Sequence, residues 1–522
     1  MIEAQAVVEI ALAAAARSGA DGCIVLVDET SHADVRFALN TTTTNGVRRD
    51  RSVTVIVMVA AGTSGAQSVG VARRSGVADV EQMVSAALTD ARGAPPADDV
   101  FALVDGMGAA RGGGRAASAA FGSAPVETDL SVLGGVLSGL SGAFGRASAK
   151  DVVLAGFAEY GVSTLYLGSS TGVRLSFSQP TGAVNLVGRS ADGVRSAWTA
   201  VGAERIGEIS FGEMEEELWR RLSWAERSIS LDAGRYEVIL PPSGVADMMG
   251  SLLFYGMGGQ DAEDGRTVFS ATGGNDGGGS GGSGSGGGGG AGGVRGTRVG
   301  EQLTNMPFTL YSDPFEPGLE CLPFVACGSS DSESSVFDNA LPIERVDWIH
   351  GGRLAHLRYH RAGAARSGVE AAPYIDNLIL RGGGGGDPAR GGGDPAGGGG
   401  DPARGGGGGG ATDGGSVDEM VARTERGLLL TCLWYIREVD PATALLTGLT
   451  RDGVYVIEDG AVVGAANNFR FNESPVDLLA RATEVGTSVR TLGRELGEYL
   501  NRCIMPALRI PDFNMSSVSQ AS

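Results

Sequence analysis

The sequence has few of the residues that most often bind metals or form covalent cross-links. Only 4 histidines and 5 cysteines occur among its 522 residues. The cysteines are scattered, at Cys23, Cys321, Cys327, Cys432 and Cys503. An odd number of cysteines without a CxxC spacing argues against a disulfide framework and against a zinc ribbon.

An excess of basic residues and a long apolar run are also missing. The chain has 41 basic and 61 acidic residues, a net charge of −20, which argues against a nucleic-acid groove or an anionic membrane surface as the main partner. No apolar run reaches the roughly 18 residues that a membrane-spanning helix needs. Glu3 and Glu9 stand where a signal peptide would have basic residues. These features predict a cytoplasmic protein.

The first 210 residues combine helix and strand patterns. Helices are predicted at 2–17, 77–92 and 127–147, and strands at 23–27, 35–39, 53–60 and 66–73. The dipeptide Asn45-Gly46 is a strong turn signal between two of these strands. Four short apolar runs from 152 to 188 predict an antiparallel meander. We therefore predict an N-terminal α/β-type domain, residues 1–210, with a mixed or antiparallel sheet.

Residues 211–522 are predicted to form a second, strand-rich domain. A charged helix pattern at 211–228 begins it, and strands are predicted at 308–311, 354–359, 427–434, 443–449, 455–458 and 461–464. Two glycine-rich tracts, 273–293 and 382–410, cannot bury a core, and we expect them to be disordered loop insertions. The predicted fold class is α+β.

The stretch 236–270 joins a strand to a helix. An apolar strand at 236–240 ends at Pro241-Pro242, and Ser243 is a candidate helix N-cap. Apolar residues then recur at spacings of three and four, at Val245, Met248, Met249, Leu252, Leu253 and Met257. The pattern predicts an amphipathic helix that ends at Gly256, Gly258 and Gly259 and leads into an acidic loop.

This strand, proline turn and helix resemble the core of the TldD/PmbA family, also described as peptidase U62-like. The TldD branch of that family carries an HExxxH metallopeptidase motif on the helix. The six motif positions here fall on Gly250, Ser251, Leu252, Leu253, Phe254 and Tyr255. A zinc hydrolase needs imidazole ligands and a carboxylate base, so Gly250, Ser251 and Tyr255 make the motif degenerate. On a helical wheel these three positions lie opposite the apolar stripe.

The C-terminal third is similar to the PmbA, or TldE, branch in particular. The similarity is carried by GLLLTCLWYI at 427–436, TRDG at 450–453 and FRFNES at 469–474. In the active branch a cysteine of this region contributes to the metal site. Cys432 lies in the corresponding region but within PmbA-type sequence, so this role is not transferred to it. The resemblance implies that this chain has no catalytic and no metal-binding residues.

The resemblance also implies a partner. It predicts a non-catalytic, TldE-like subunit of a heterodimeric peptide-processing metalloprotease, in which a TldD-like metallopeptidase subunit supplies zinc and the catalytic glutamate. This chain would help to enclose a peptide or an unfolded polypeptide, and exposed strand edges of its C-terminal part could bind that substrate by strand addition. No cofactor is expected on this chain, and neither a nucleic acid nor a membrane as partner.

Two other interpretations stay open. An autonomous, divergent metallopeptidase would use His350, His356 and His360, two of which would share a face on a helix. However, Leu357 stands where a zincin has its general base, and in a strand four residues span about 13 Å. The other interpretation is a non-enzymatic, homodimeric peptide-binding scaffold.

Overall fold

The computed structural model describes residues 2–62, 65–76, 79–111, 114–271, 296–382 and 414–519. The predicted glycine-rich insertions lie outside these residues, apart from Gly382. Their predicted disorder therefore stays a prediction.

Long antiparallel strands form the first half of the described chain. They are β1 (Gly22–Ala38), β2 (Thr41–Ala60), β3 (Gln67–Ser75), β4 (Val152–Ser169), β5 (Arg174–Ser190) and β6 (Ser196–Ala203). Within the described ranges they make one six-stranded sheet in the order β3-β2-β1-β4-β5-β6, and every neighbouring pair is antiparallel. The antiparallel sheet predicted for this part is confirmed.

Two turn predictions in this sheet are wrong. Asn45-Gly46 lies inside β2 and pairs with Val35 and Asp34 of β1, while the hairpin turns at Leu39 and Asn40, whose φ angles are +52° and +57°. The four short runs predicted from 152 to 188 are also wrong as separate strands, since they form two long ones, β4 and β5, and β4 runs on through residue 156. Gly156 allows this because a Cβ there would lie 2.0 Å from the carbonyl oxygen of Asn185. Glycine therefore marks close strand approach here and not a turn.

Four helices cover one face of this sheet: α1 (Ala4–Arg17), α2 (Val80–Gly93), α5 (Gly134–Ala149) and α6 (Phe211–Trp224). The short helices α3 (Gly106–Ala109) and α4 (Gly114–Ala120) and the C-terminal half of the chain cover part of the other face. Along β1, Val25 and Val27 belong to the core that contains residues of α1 and α2. The intervening Leu26 belongs to a core shared with Phe324 and Phe337. The alternation of a strand's side chains thus joins the two halves of the chain.

The second half contains many shorter strands. They are β7 (Ser228–Ile229), β8 (Gly234–Leu240), β9 (Thr309–Ser312), β10 (Val346–His350), β11 (Arg353–Leu354), β12 (Leu378–Arg381), β13 (Arg426–Leu430), β14 (Leu433–Asp440), β15 (Leu445–Thr450), β16 (Val454–Glu458), β17 (Ala461–Ala466), β18 (Phe469–Glu473), β19 (Glu484–Val485), β20 (Val489–Thr491), β21 (Cys503–Met505) and β22 (Leu508–Val518). The helices are α7 (Pro242–Ser251), α8 (Gly259–Glu263), α9 (Arg361–Ser367), α10 (Val417–Ala422) and α11 (Pro475–Arg481). The α+β fold class is confirmed.

These strands form two mixed sheets in the described part of the chain. One has the order β11-β10-β9-β12-β21-β20, and the other, of ten strands, has the order β14-β15-β18-β22-β8-β13-β16-β17-β7 with β19 paired to β22. Strand β8 lies between β22 and β13, antiparallel to the first and parallel to the second. Helix α7 therefore starts from a strand in the interior of the largest sheet, which fixes its position.

The predicted domain boundary, between residues 210 and 211, lies at the start of helix α6. Leu218 and Leu222 of α6 lie in the same apolar cluster as α5 and strands of the N-terminal sheet. The division stays a prediction about chain organisation. Among the helices that the structure describes, none has the length and apolar character to cross a membrane.

Helix α2 packs so closely on strand β3 that only glycine fits at the contact. A Cβ at Gly70 would lie 2.0 Å from Ala87 O and 2.3 Å from Ala91 N. We expect Gly70→Ala to lower the free energy of unfolding by about 1–3 kcal/mol, as overpacking does, measured by urea denaturation. Gly46→Ala is the matched control because a Cβ there meets nothing within 4 Å. Equal stability of the two variants would contradict this close contact.

Candidate functional site

Helix α7, which carries the degenerate motif, is buried on every side. Pro242 occupies its first turn, and the helix continues after Ser251 into a wider π-helical turn at Leu252–Gly256. All residues from 244 to 253 are buried. The predicted helix is confirmed, but it is buried on all sides and has no polar, exposed face. The predicted acidic loop is wrong, since α8 follows directly.

The face opposite the apolar stripe is covered by a distant part of the chain, residues 493–500, which we call the blocking segment. A Cβ at Gly250 would lie 2.9 Å from Leu496 Cδ1 and 3.2 Å from Leu500 Cδ2. Real Cβ atoms do not approach other atoms this closely without a shift of the neighbour. An imidazole at the first motif position would therefore need the side chains of Leu496 and Leu500 to move.

Asp247 holds the blocking segment against α7. This fully buried carboxylate accepts three backbone hydrogen bonds, from Arg494 at 2.9 Å and from Glu495 and Leu496 at 3.0 Å each. Gly493 permits this approach, because a Cβ there would lie 2.3 Å from Asp247 Oδ1. Burial raises the pKa of Asp247 to about 7, although the three N–H groups favour the charged form and act against that rise.

The other two degenerate positions have different surroundings. Ser251 is 1% exposed, and its hydroxyl donates to the carbonyl oxygen of Asp247 at 2.8 Å. Tyr255 is 42% exposed. Gly250 and Ser251 are buried, and only Tyr255 is exposed. The three positions therefore do not share one exposed face, as the ligands of one metal ion would.

Two of the three histidines of the alternative metal site contact different atoms of one residue, and the third caps a helix. His350 Nδ1 lies 2.8 Å from a carboxylate oxygen of Asp347, and His356 Nδ1 lies 2.8 Å from the backbone oxygen of the same residue. His360 is buried and caps α9, where it accepts from the N–H of Gly363 at 3.2 Å. In the residues that the structure describes, no three His, Cys, Asp or Glu side chains are arranged to hold a metal ion.

Between these histidines the chain is mostly irregular. Only Leu354 of the predicted strand 354–359 lies in a regular strand, and Arg358 and Tyr359 make isolated bridges. Cys432, the other residue considered for a metal, is 1% exposed. Burial raises the pKa of its thiol, which favours the protonated form over the thiolate that binds metals.

A cavity of about 780 Å³ opens beside the end of the motif helix, between the N-terminal sheet and the C-terminal half. The sheet contributes polar residues such as Asp28 and Gln179, and the C-terminal half contributes Phe254, which follows α7. The ring of Phe254 stacks on Tyr374, with centroids 5.9 Å apart. A volume of this size is typical of ligand sites.

Two buried arginines fix charged groups in the cavity wall. Arg358 pairs with Glu333 at 2.7 Å and donates to the backbone oxygen of Phe254 at 3.0 Å. Arg502 pairs with Asp376 at 3.1 Å. Burial raises the pKa of Glu333, and Arg358 acts against that rise. The wall thus offers apolar, donor and acceptor groups together, which suits a polar chain with apolar side chains, such as a peptide.

The residues that cover α7 were not predicted from the sequence. Asp247 is the one acidic residue among the apolar positions 244–253, and Leu492, Leu496 and Leu500 recur every four residues. Either pattern indicates that the segment makes a buried contact with another part of the chain. Their contact joins positions that are 247 to 249 residues apart, however, and a single sequence contains no information about that pairing.

The pH dependence of stability tests the burial of Asp247. Because its pKa is raised to about 7, the native state binds a proton that the unfolded chain releases above about pH 4. The stabilising contribution of Asp247 is then largest near pH 4 and is lost as pH rises through 7. We expect the stability of the wild type relative to Asp247→Asn to fall by roughly 2–3 kcal/mol between about pH 5 and pH 8. Urea denaturation at several pH values measures this.

The exposed Asp232→Asn is the matched control for that experiment. Its stability should follow the wild type at every pH. Parallel profiles for the wild type and Asp247→Asn would contradict a buried, proton-binding Asp247.

Comparisons with known proteins agree with this architecture. The family model described as PmbA/TldA metallopeptidase C-terminal domain matches residues 233–517, more than half of the chain. Three crystal structures are similar, each with a TM-score of 0.67 and covering 98% of this chain and 99% of the other. They are TldE from Thermococcus kodakarensis and proposed modulators of DNA gyrase from Thermotoga maritima and Bacteroides thetaiotaomicron, at 14%, 14% and 13% identity. No curated protein matches. The chain belongs to the TldD/PmbA family of metallopeptidase-related proteins.

Proposed function

We propose that this chain is the non-catalytic, TldE-like subunit of a heterodimeric peptide-processing metalloprotease. A TldD-like metallopeptidase subunit supplies zinc and the catalytic glutamate, and this chain encloses part of the peptide. The family membership supports a role in proteolysis, and the absence of HExxxH from the sequence supports a role other than catalysis.

One observation carries the proposal: Leu496 and Leu500 occupy the space that a side chain at Gly250 would enter. A degenerate motif that had merely lost its ligands would leave an open groove at this place. Here the groove is filled with apolar side chains, and Asp247 holds the filling segment with three hydrogen bonds. The chemistry is therefore assigned to a partner.

The substrate is assigned to the 780 Å³ cavity and to one exposed strand edge. Strand β14 is at the edge of the ten-stranded sheet in the described residues, and Tyr435 and Val439 on it are 49% and 56% exposed. An extended peptide can pair with such an edge and place alternate side chains on either face. Acidic net charge on this chain also favours substrates without a large excess of acidic residues.

Partner-dependent hydrolysis tests the proposal. The chain and a TldD-like metallopeptidase from the same source are purified separately, and cleavage of an unstructured peptide is measured for each and for the mixture. We expect no cleavage by this chain alone, and cleavage by the mixture that is roughly tenfold to a hundredfold faster than by the partner alone, the upper value being about the cost of misplacing a substrate by 1 Å.

A partner variant without the HExxxH glutamate is the control, and its mixture should be inactive. The proposal is wrong if the partner cleaves equally well without this chain. Cleavage by this chain alone would favour the autonomous metallopeptidase, and peptide binding without a complex would favour the homodimeric scaffold.

A further inference from the structure

The 780 Å³ cavity has an excess of negative charge among its lining residues. Six carboxylates and three arginines line it. The two buried arginines are neutralised by their carboxylate partners described above, and Asp338 pairs with Arg361 at 2.7 Å. Three lining carboxylates have no ion pair within the described residues: Asp28, Asp331 and Glu498. In this part of the chain Arg73 is the one lining cation left against them, so the cavity attracts a cationic group.

Asp28 differs from the other two carboxylates because it lies on the floor of the cavity, which is a face of the N-terminal sheet. Asp28 and Ser52 are directly opposite each other on β1 and β2, and so are Leu26 and Thr54. All four line the cavity. The other two carboxylates are exposed, whereas Asp28 is half-buried. A half-buried carboxylate without a cation is the more favourable place for a cationic ligand, since salt and water screen it less.

Hydroxyl groups lie on the strands on both sides of this carboxylate. Ser163 of β4 donates to Asp28 Oδ1 at 2.7 Å. Thr54 of β2 is 6% exposed, and its hydroxyl has no hydrogen-bond partner among the described residues. Unlike the unpaired side-chain atoms that are fully shielded, this oxygen keeps accessible surface, and Thr54 lines the cavity. Because buried polar groups are normally paired, this hydroxyl is available to a ligand.

Apolar side chains lie beside the carboxylate on the same floor. Leu26, Leu165 and Phe177 line the cavity, and Leu165 is directly opposite Asp28 on β4. A lysine side chain fits this arrangement, because its methylene stem covers apolar surface while its ammonium group keeps polar contacts. The ammonium group has three donors and no acceptor. One carboxylate and the hydroxyl oxygens next to it are the acceptors that such a group requires.

We propose that Asp28 binds the ammonium group of a lysine side chain, and that the cavity therefore selects peptides that contain lysine. The ammonium group donates to the Asp28 carboxylate and to the hydroxyl oxygens of Ser52 and Thr54, and the methylene stem packs on the apolar part of the floor. The inference rests on the proposed function, because that function assigns the peptide to this cavity.

Peptide binding to the full chain without a partner tests the site. Two N-acetylated, amidated peptides are identical except at one position, which is lysine in the first and norleucine in the second, so that lysine supplies the one ammonium group. Titration calorimetry should show that the lysine peptide binds roughly tenfold to a hundredfold more tightly, as expected for a hydrogen bond to a charged group. Asp28→Asn should bind the two peptides equally.

Asp34→Asn is the matched control, because Asp34 lies on the same face of the same strand and does not line the cavity. It should keep the full preference for lysine. Thr54→Val should reduce the preference roughly twofold to tenfold, as the loss of one hydrogen bond does, and circular dichroism shows whether each variant is folded. The inference is overturned if the wild type binds both peptides equally, or if folded Asp28→Asn keeps the preference.

Cleavage of the same two peptides by the mixture with the TldD-like subunit separates this inference from the proposed function. If this chain accelerates the cleavage of both peptides equally, the lysine preference is overturned and the proposed function stands. If lysine-selective binding depends on Asp28 but this chain accelerates neither cleavage, the lysine site stands and the proposed function is overturned.

Discussion

The contact between the Asp247 carboxylate and the backbone of the blocking segment organises this part of the molecule. Three N–H groups converge on one buried side chain, and a carboxylate is the side chain best able to accept them all. The contact places Leu496 and Leu500 on Gly250. A single buried acid thus holds in place the segment that covers this face of the helix.

The blocking segment also holds neighbouring strands and side chains in place. The carboxylate of Glu495 accepts from the N–H of Tyr435 at 2.9 Å and from Arg437 at 2.7 Å, which fixes the edge strand β14. The guanidinium of Arg494 lies over the rings of Trp434 and Trp198. The edge strand β14 and the covered motif helix are therefore held by the same segment, and a shift of the blocking segment would alter both.

Features that depend on local sequence patterns can be predicted from this sequence. Features that depend on contacts between distant segments cannot. The α+β class, the antiparallel meander and the strand, proline turn and helix at 236–251 follow from periodicity and from the two prolines. Asn45-Gly46 misleads because pairing with β1 overrides its turn preference. The burial of Gly250 and Ser251 has no local signal, since the residues that cover them are about 250 positions away. The blocked motif can be predicted as a loss of ligands, but not as a filled space.

Metal content is the most direct measurement of the central claim. The chain is purified alone, incubated with zinc, separated from free metal, and analysed for zinc per chain. With Leu496 and Leu500 filling the space at Gly250, the account predicts far less than one zinc per chain. One zinc per chain that is lost in His356→Ala would contradict it and would place metal chemistry on this chain.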